Sequence, residues 1–150
     1  MSPRELEAYL HEHIPLSLAM QVCVVEASPE QIVLRAPLAP NINHRETVFG
    51  GSASALAILA AWSVLHTKLA ASNLKSTLVI QRNTMSYEKA ITGSFTAKAS
   101  APSPEAWTSF TRMFQRKGRA RIAICSTLWY EGREAGRLEG EFVALAATGA

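Results

Sequence analysis

Charge is scarce in this sequence. Only 18% of its 150 residues are charged, against 48% hydrophobic. That balance excludes a disordered chain, and the length suits one domain with a real core, expected over residues 1–150. The formal net charge is only +3, so any basic surface has to come from local clustering. Cysteine is almost absent. Cys23 and Cys125 fall in strand-like runs, where they read as buried core thiols in a reducing compartment; nothing favours a disulfide. No repeats, low-complexity tracts or linkers occur. The opening MSPRELEAYLHEH has acidic residues and no apolar h-region, so no signal peptide is expected and the cytoplasm is the default. No carboxylate lies between Thr47 and Glu88.

What is present centres on Asn41 to Ser72, NINHRETVFGGSASALAILAAWSVLHTKLAAS. It begins polar and turn-like, passes through Gly50-Gly51, and enters a long apolar run. Gly-Gly followed by Ser52 predicts a loop feeding a helix, with Ser52 as the cap. Such a helix start offers backbone N–H groups and the positive end of the helix dipole, which stabilise a carbonyl or oxyanion without a charged side chain. The helix has no clean polar face before His66 and Lys68, so it is buried on most sides. Val48 to Leu65 is uncharged and reaches the length of a membrane span. Its glycines, serines and alanines, and the strands that need a helix to cover them, favour a water-soluble core helix.

The remaining chain supplies those strands. Pro3 to His13 reads as a short amphipathic helix capped by Ser2, with Leu6 and Leu10 on one face. Gln21–Ala27 and Gln31–Ala36 form a hairpin around Ser28-Pro29-Glu30. After the long helix, Ser76–Arg82 is a strand that Ser86–Ala90 extends. Arg82 is expected in solvent. Ser94–Ala101 alternates with Phe95, Ala97 and Ala99 inward. Glu105–Lys117 is helical, with Trp107, Phe110 and Phe114 on one side and Gly118 as the stop. Arg119–Tyr130 and Glu134–Ala146 complete an antiparallel α+β arrangement.

A hairpin, a long apolar helix and a run of antiparallel strands in a chain of this size resemble the hotdog fold, a sheet wrapped around one central helix. The segment NHRETVFGGSASALAILAAW is similar to the thioesterase-like hotdog domain found behind an acetyltransferase domain in some bacterial proteins and alone in others. The resemblance covers essentially the whole chain. It implies a thioesterase name, and an activity better defined as malonyl-acyl carrier protein decarboxylation with an asparagine on this loop required. That activity makes acetyl-acyl carrier protein for the initiation of fatty acid synthesis. It also implies a homodimer joined edge to edge. One subunit would give the Asn43 loop, and the other part of a tunnel near Tyr87 or Asn83.

Related acyl-CoA thioesterases carry His-Gly-Gly and a helix carboxylate seven residues after the second Gly. Here those places hold Phe49 and Ile58. A hydrolase without that base lacks a means to activate water. Decarboxylation of a malonyl thioester needs no base to start. It needs donors at the thioester oxygen, where enolate charge develops, and an apolar pocket. Asn43 and the Gly51 N–H match the donors, and Val48, Phe49 and Ile58 the wall. His44 is a candidate for protonating the enolate carbon, and Gly50, Ser52 and the loop-bracing Thr47 are candidates for binding the substrate. Asn41 reads as a turn residue. Two alternatives stay open: a thioesterase acting on acyl-CoA or acyl-acyl carrier protein through Glu46 or His44, and a non-catalytic acyl-binding module.

Arg112, Arg116, Lys117, Arg119 and Arg121 form the one dense basic cluster. It reads either as a solvated helix end or as a landing patch for an acidic carrier protein or coenzyme A phosphates. No cofactor is expected, because the substrate carries its own phosphopantetheine. His11 and His13 do not share a helix face, so no metal site is expected. Neither nucleic acid nor membrane is an expected partner.

Overall fold

The computed structural model describes residues 1–147. Its elements in chain order are α1 (Pro3–His13), α2 (Pro15–Ala19), β1 (Cys23–Ala27), β2 (Gln31–Ala36), α3 (Gly50–Ala71), β3 (Ser76–Tyr87), β4 (Phe95–Ser100), α4 (Pro104–Lys117), β5 (Arg119–Tyr130) and β6 (Arg133–Ala146). The six strands form one antiparallel sheet in the order β1-β2-β4-β5-β6-β3.

The sheet curls around α3, which packs against β2, β3, β4, β5 and β6. Leu56, Ala57, Ala60, Ala61 and Leu65 of α3 are fully buried. A helix enclosed in this way has to be apolar on most sides. This explains a run long and apolar enough to cross a bilayer in a helix the protein itself covers. Each buried leucine contributes about 1.5–3 kcal/mol of apolar transfer. This is the α+β hotdog architecture.

Local signals hold well. Ser2 caps α1 by accepting the Glu5 N–H at 3.2 Å, and Ser103 caps α4 by accepting the Ala106 N–H at 3.1 Å. Gly118 ends α4 at φ 69°, the left-handed conformation that glycine adopts without penalty. In β4, Phe95, Ala97 and Ala99 face the core.

Other details differ from expectation. β3 runs unbroken to Tyr87. A register shift between Ile80 and Arg82 ends its simple alternation, while Arg82 is exposed as expected. Beyond the shift the strand is a sheet edge, with most side chains in solvent. The thiols are free, but neither is buried core: Cys23 is half-buried on the edge strand β1 and Cys125 is exposed. In β5 the alternation turns Ile122, Ile124 and Ser126 inward, so Cys125 falls on the outer face.

Candidate active site

The loop before α3 is a miniature hairpin. Ile42 and Val48 pair as an isolated bridge, and the turn between them is organised by one side chain. The Asn43 carbonyl oxygen Oδ1 accepts the N–H of Arg45 at 2.8 Å and of Thr47 at 3.1 Å. Its amide donates to Thr47 Oγ1 at 2.8 Å. Asparagine suits this place because its short amide binds the backbone two and four residues on. Asn43 and Thr47 therefore brace each other, and one Asn43 amide hydrogen is left unspent. Glu46 sits in the turn at φ 64°.

Asn41 does more than turn the chain. It is buried, and its amide donates to the carbonyls of Met20 at 3.0 Å and Pro37 at 2.8 Å. Its own backbone carbonyl accepts the Phe49 N–H at 2.7 Å, while the Val48 N–H donates to Ile91 at 2.8 Å. These bonds fix the entry to α3 against the β3–β4 connection.

At that entry, α3 has no side-chain cap. Its N-cap residue is Phe49, which carries no acceptor, and Ser52 lies inside the first turn. The expected Ser52 cap is therefore corrected: the Gly-Gly is already helical, which puts Ser52 beyond the capping position. The first main-chain bond of the helix is Ala53 N–H to Phe49 O at 3.0 Å. Among the described residues, the N–H groups of Gly50, Gly51 and Ser52 have no acceptor. Three aligned donors at the positive end of a 22-residue helix are a ready anion or oxyanion site.

A cleft of about 320 Å³ opens beside this helix start. Val48, Gly50 and Ala53 form one wall, and Leu128 and Ala135 the floor. The end of β3 and its loop, Tyr87 to Ile91, form the other wall. The loop is held by the Ala135 carbonyl, which accepts the N–H groups of Glu88 at 2.9 Å and Lys89 at 3.1 Å. A hydrogen bond of 2.8 Å between Thr92 Oγ1 and Tyr130 Oη secures its far side. The Tyr87 ring lies over Gly50: a Cβ built there would sit 3.5 Å from Tyr87 Cε1 and 3.8 Å from its hydroxyl oxygen. Gly51 is covered by Phe49, whose ring leaves 2.4 Å for a Cβ. Only glycine admits that contact.

Several residues proposed for this site lie elsewhere. Ile58 is two turns along α3 and packs against the core. Phe49 is 56% exposed and folds over Gly51 rather than lining the cleft. His44 stands exposed at the tip of the Asn43 turn; neither it nor Asn43 lines the cleft. Tyr87 meets Gly50 of its own chain. The basic residues are also remote. Arg119 and Leu128 are nine residues apart on β5, which places the basic end about 30 Å from the cleft floor at ~3.3 Å per residue. Lys117, Arg119 and Arg121 line a groove between α4 and β5, with Arg121 paired to Glu141 at 3.3 Å. Arg112 and Arg116 are exposed on α4 and outside that groove.

Glu88 is what the sequence search passed over. The chain contains no aspartate. Glu88, distant from the Gly-Gly in sequence, lines the cleft beside the helix start.

A family model described as "Putative thioesterase (yiiD_Cterm)" matches residues 3–146. The chain belongs to this family. Its fold is shared with a protein of unknown function from Chlorobaculum tepidum TLS at 27% identity and TM-score 0.92, covering 97% of this chain and 98% of that one. A "putative thioesterase" from Shewanella oneidensis matches at 24% identity and TM-score 0.85, with 95% and 96% covered. A "probable thioesterase" from Pseudomonas aeruginosa matches at 19% and 0.82, with 97% of both chains covered. Membership places the chain among hotdog proteins named for thioester chemistry.

Proposed function

We propose that this family member acts on a malonyl thioester as a decarboxylase and leaves the thioester bond intact. The observation that carries the reading is the uncapped start of α3, with three unengaged N–H groups beside an apolar-walled cleft and no carboxylate on the helix. When the carbon–carbon bond to the carboxylate breaks, its electron pair moves into an enolate whose charge rests on the former thioester oxygen. Fixed N–H donors at that oxygen stabilise the transition state more than the ground state. Val48, Ala53, Ile91 and Leu128 give the cleft an apolar side, which disfavours a localised carboxylate, facing the stretch that carries Glu88 and Lys89. Asn43 acts on this site through the turn that it holds with its amide and carbonyl. The electrophile is the thioester itself, so the reaction draws on no cofactor.

A second reading follows from Glu88. A carboxylate on the cleft wall is a candidate base for activating water, which makes a thioesterase the alternative.

The substrate is read as an acyl carrier protein or coenzyme A thioester, and the protein as a homodimer. Exposed β3 is a free sheet edge. Pairing two such edges antiparallel sets the Ser76 end of one copy against the Tyr87 end of the other. Thr77 and Arg119 both pair with Leu145, so the partner's basic end would approach the cleft, where phosphates or acidic side chains of the carrier would be received. Sedimentation as a monomer would contradict the pairing.

The test follows CO₂ and free thiol in parallel, with malonyl-acyl carrier protein and a saturated acyl-CoA as substrates. CO₂ without thiol supports the decarboxylase. Thiol without CO₂, lost in Glu88→Gln, returns the protein to hydrolysis.

A further inference from the structure

Decarboxylation leaves an unfinished product. The enolate has to gain a proton at carbon to become an acetyl thioester, and the group that supplies it has to reach the cleft. His44 is at the exposed tip of the Asn43 turn and does not line the cleft. We infer that Tyr87 is the proton donor, an assignment that rests on the decarboxylase reading. The 59% exposed Tyr87 lines the cleft wall with its hydroxyl over Gly50 at the helix start, and that hydroxyl makes no hydrogen bond among the described residues. The only tyrosine hydroxyl bond there belongs to Tyr130, which meets Thr92.

The placement has a local cause. Tyr87 ends β3 opposite Gly136 of β6. A Cβ at Gly136 would meet the Ser86 carbonyl oxygen at 2.9 Å, so glycine there lets the two strands close up. The next two N–H groups, of Glu88 and Lys89, are held on the Ala135 carbonyl. The end of the strand is therefore fixed on both sides of the tyrosine, and the ring is supported against a residue that has no side chain of its own.

The step balances. The bond between Cα and the carboxylate breaks, CO₂ leaves, and its electron pair forms the enolate, with charge held by the N–H groups of the first helical turn. The enolate carbon then takes the proton of Tyr87 Oη–H as the carbonyl reforms. The phenolate recovers a proton from water. Glu88 stays free for exchange with solvent and is not required for the transfer.

Tyr87→Phe keeps the ring on Gly50 and removes only the hydroxyl. With malonyl-acyl carrier protein and the full chain, the expected loss in kcat is about 100-fold or more, the usual scale for a positioned acid. KM should change less than about twofold, because a group acting on the enolate contributes to the transition state and not to uniform binding. A solvent deuterium isotope effect on kcat should rise in the variant, as protonation becomes the slow step. A hydroxyl that merely packs would not move that isotope effect. Undiminished kcat in Tyr87→Phe, with CO₂ release by the wild type, overturns the role of Tyr87 alone. No CO₂ from the wild type overturns both this assignment and the decarboxylase reading.

Discussion

At the C-terminal end of α3 the carbonyls of Lys68, Leu69 and Ala70 are taken up by the chain that follows, whereas the N–H groups that open the N-terminal end have no acceptor. The Ser72 N–H donates to the carbonyls of Lys68 and Leu69, and the Leu74 N–H returns to Leu69 at 3.0 Å, with Asn73 between them at φ 55°. Thr67 Oγ1 binds the Ser63 carbonyl at 2.9 Å, and Trp62 Nε1 donates to Leu78 at 2.9 Å. At the other end stand Phe49, which cannot cap, two glycines, and three N–H groups without an acceptor beside a cleft that Gly50 lines. One helix with two differently finished ends separates stability from chemistry. A sealed end contributes to the fold, and an end left open at some cost in stability marks where a ligand completes the hydrogen bonding.

The largest effect expected on this contrast comes from the turn that presents the open end. Asn43→Ala removes three side-chain hydrogen bonds. It should lower CO₂ release by about 100-fold, the scale of one lost oxyanion donor, because the displaced loop misplaces the helix start. Asn43→Asp still accepts from Arg45 and Thr47 and loses the donors. If Asp restores turnover, the amide hydrogen is idle and Asn43 only shapes the loop. If Asp is as poor as Ala while its melting temperature stays near wild type, the amide works on the substrate.

The smallest effect is expected at the sealed end, where one group stands out. His66 packs against both Trp62 and Tyr9, its ring centroid 4.5 Å from each, while those two rings are 6.2 Å from one another. Its Nε2 is buried without a partner. Burial, and secondarily the neighbouring His13, hold its pKa below the ordinary imidazole value. The unfolded chain therefore takes up a proton at a higher pH than the folded one, so stability is lost as pH falls below about 6.5, the unfolded value. Tm should fall between about pH 7.5 and about pH 5.5, and His66→Phe, which preserves the stack, should fall less. Equal falls would show that His66 is not the source of the acid sensitivity.

The same contrast explains what was legible in the sequence. Periodicity and punctuation located α1, β2, α4 and β5 within a residue of their observed ends, because Ser2, Pro3, Gly118 and alternating side chains act locally. The Asn43 turn, the Gly-Gly at the helix start and the missing helix carboxylate were also readable. The opposite wall of the cleft was not. Tyr87 and Glu88 are brought there by β3 pairing with β6, across some 50 residues of chain, and no local pattern encodes that distance. The basic cluster shows the converse: Lys117 and Arg119 flank Gly118 in sequence, close to the same helix end, yet β5 carries that end away from the cleft of its own chain.

Phe49 offers the most direct measurement of the central claim, that the unengaged N–H groups of the first turn of α3 do the chemical work. Phe49→Ser and Phe49→Ala lose the same ring and differ by one hydroxyl, which in the serine variant can cap the helix and occupy those donors. The serine variant should be more stable than the alanine variant by about 1 kcal/mol, or ~2–4 °C in Tm for a chain of this size. It should also release CO₂ from malonyl-acyl carrier protein at least ~10-fold more slowly, because the thioester oxygen now competes with the cap. A serine variant that gains stability and keeps the turnover of the alanine variant would contradict the account, since the donors would then be filled without consequence.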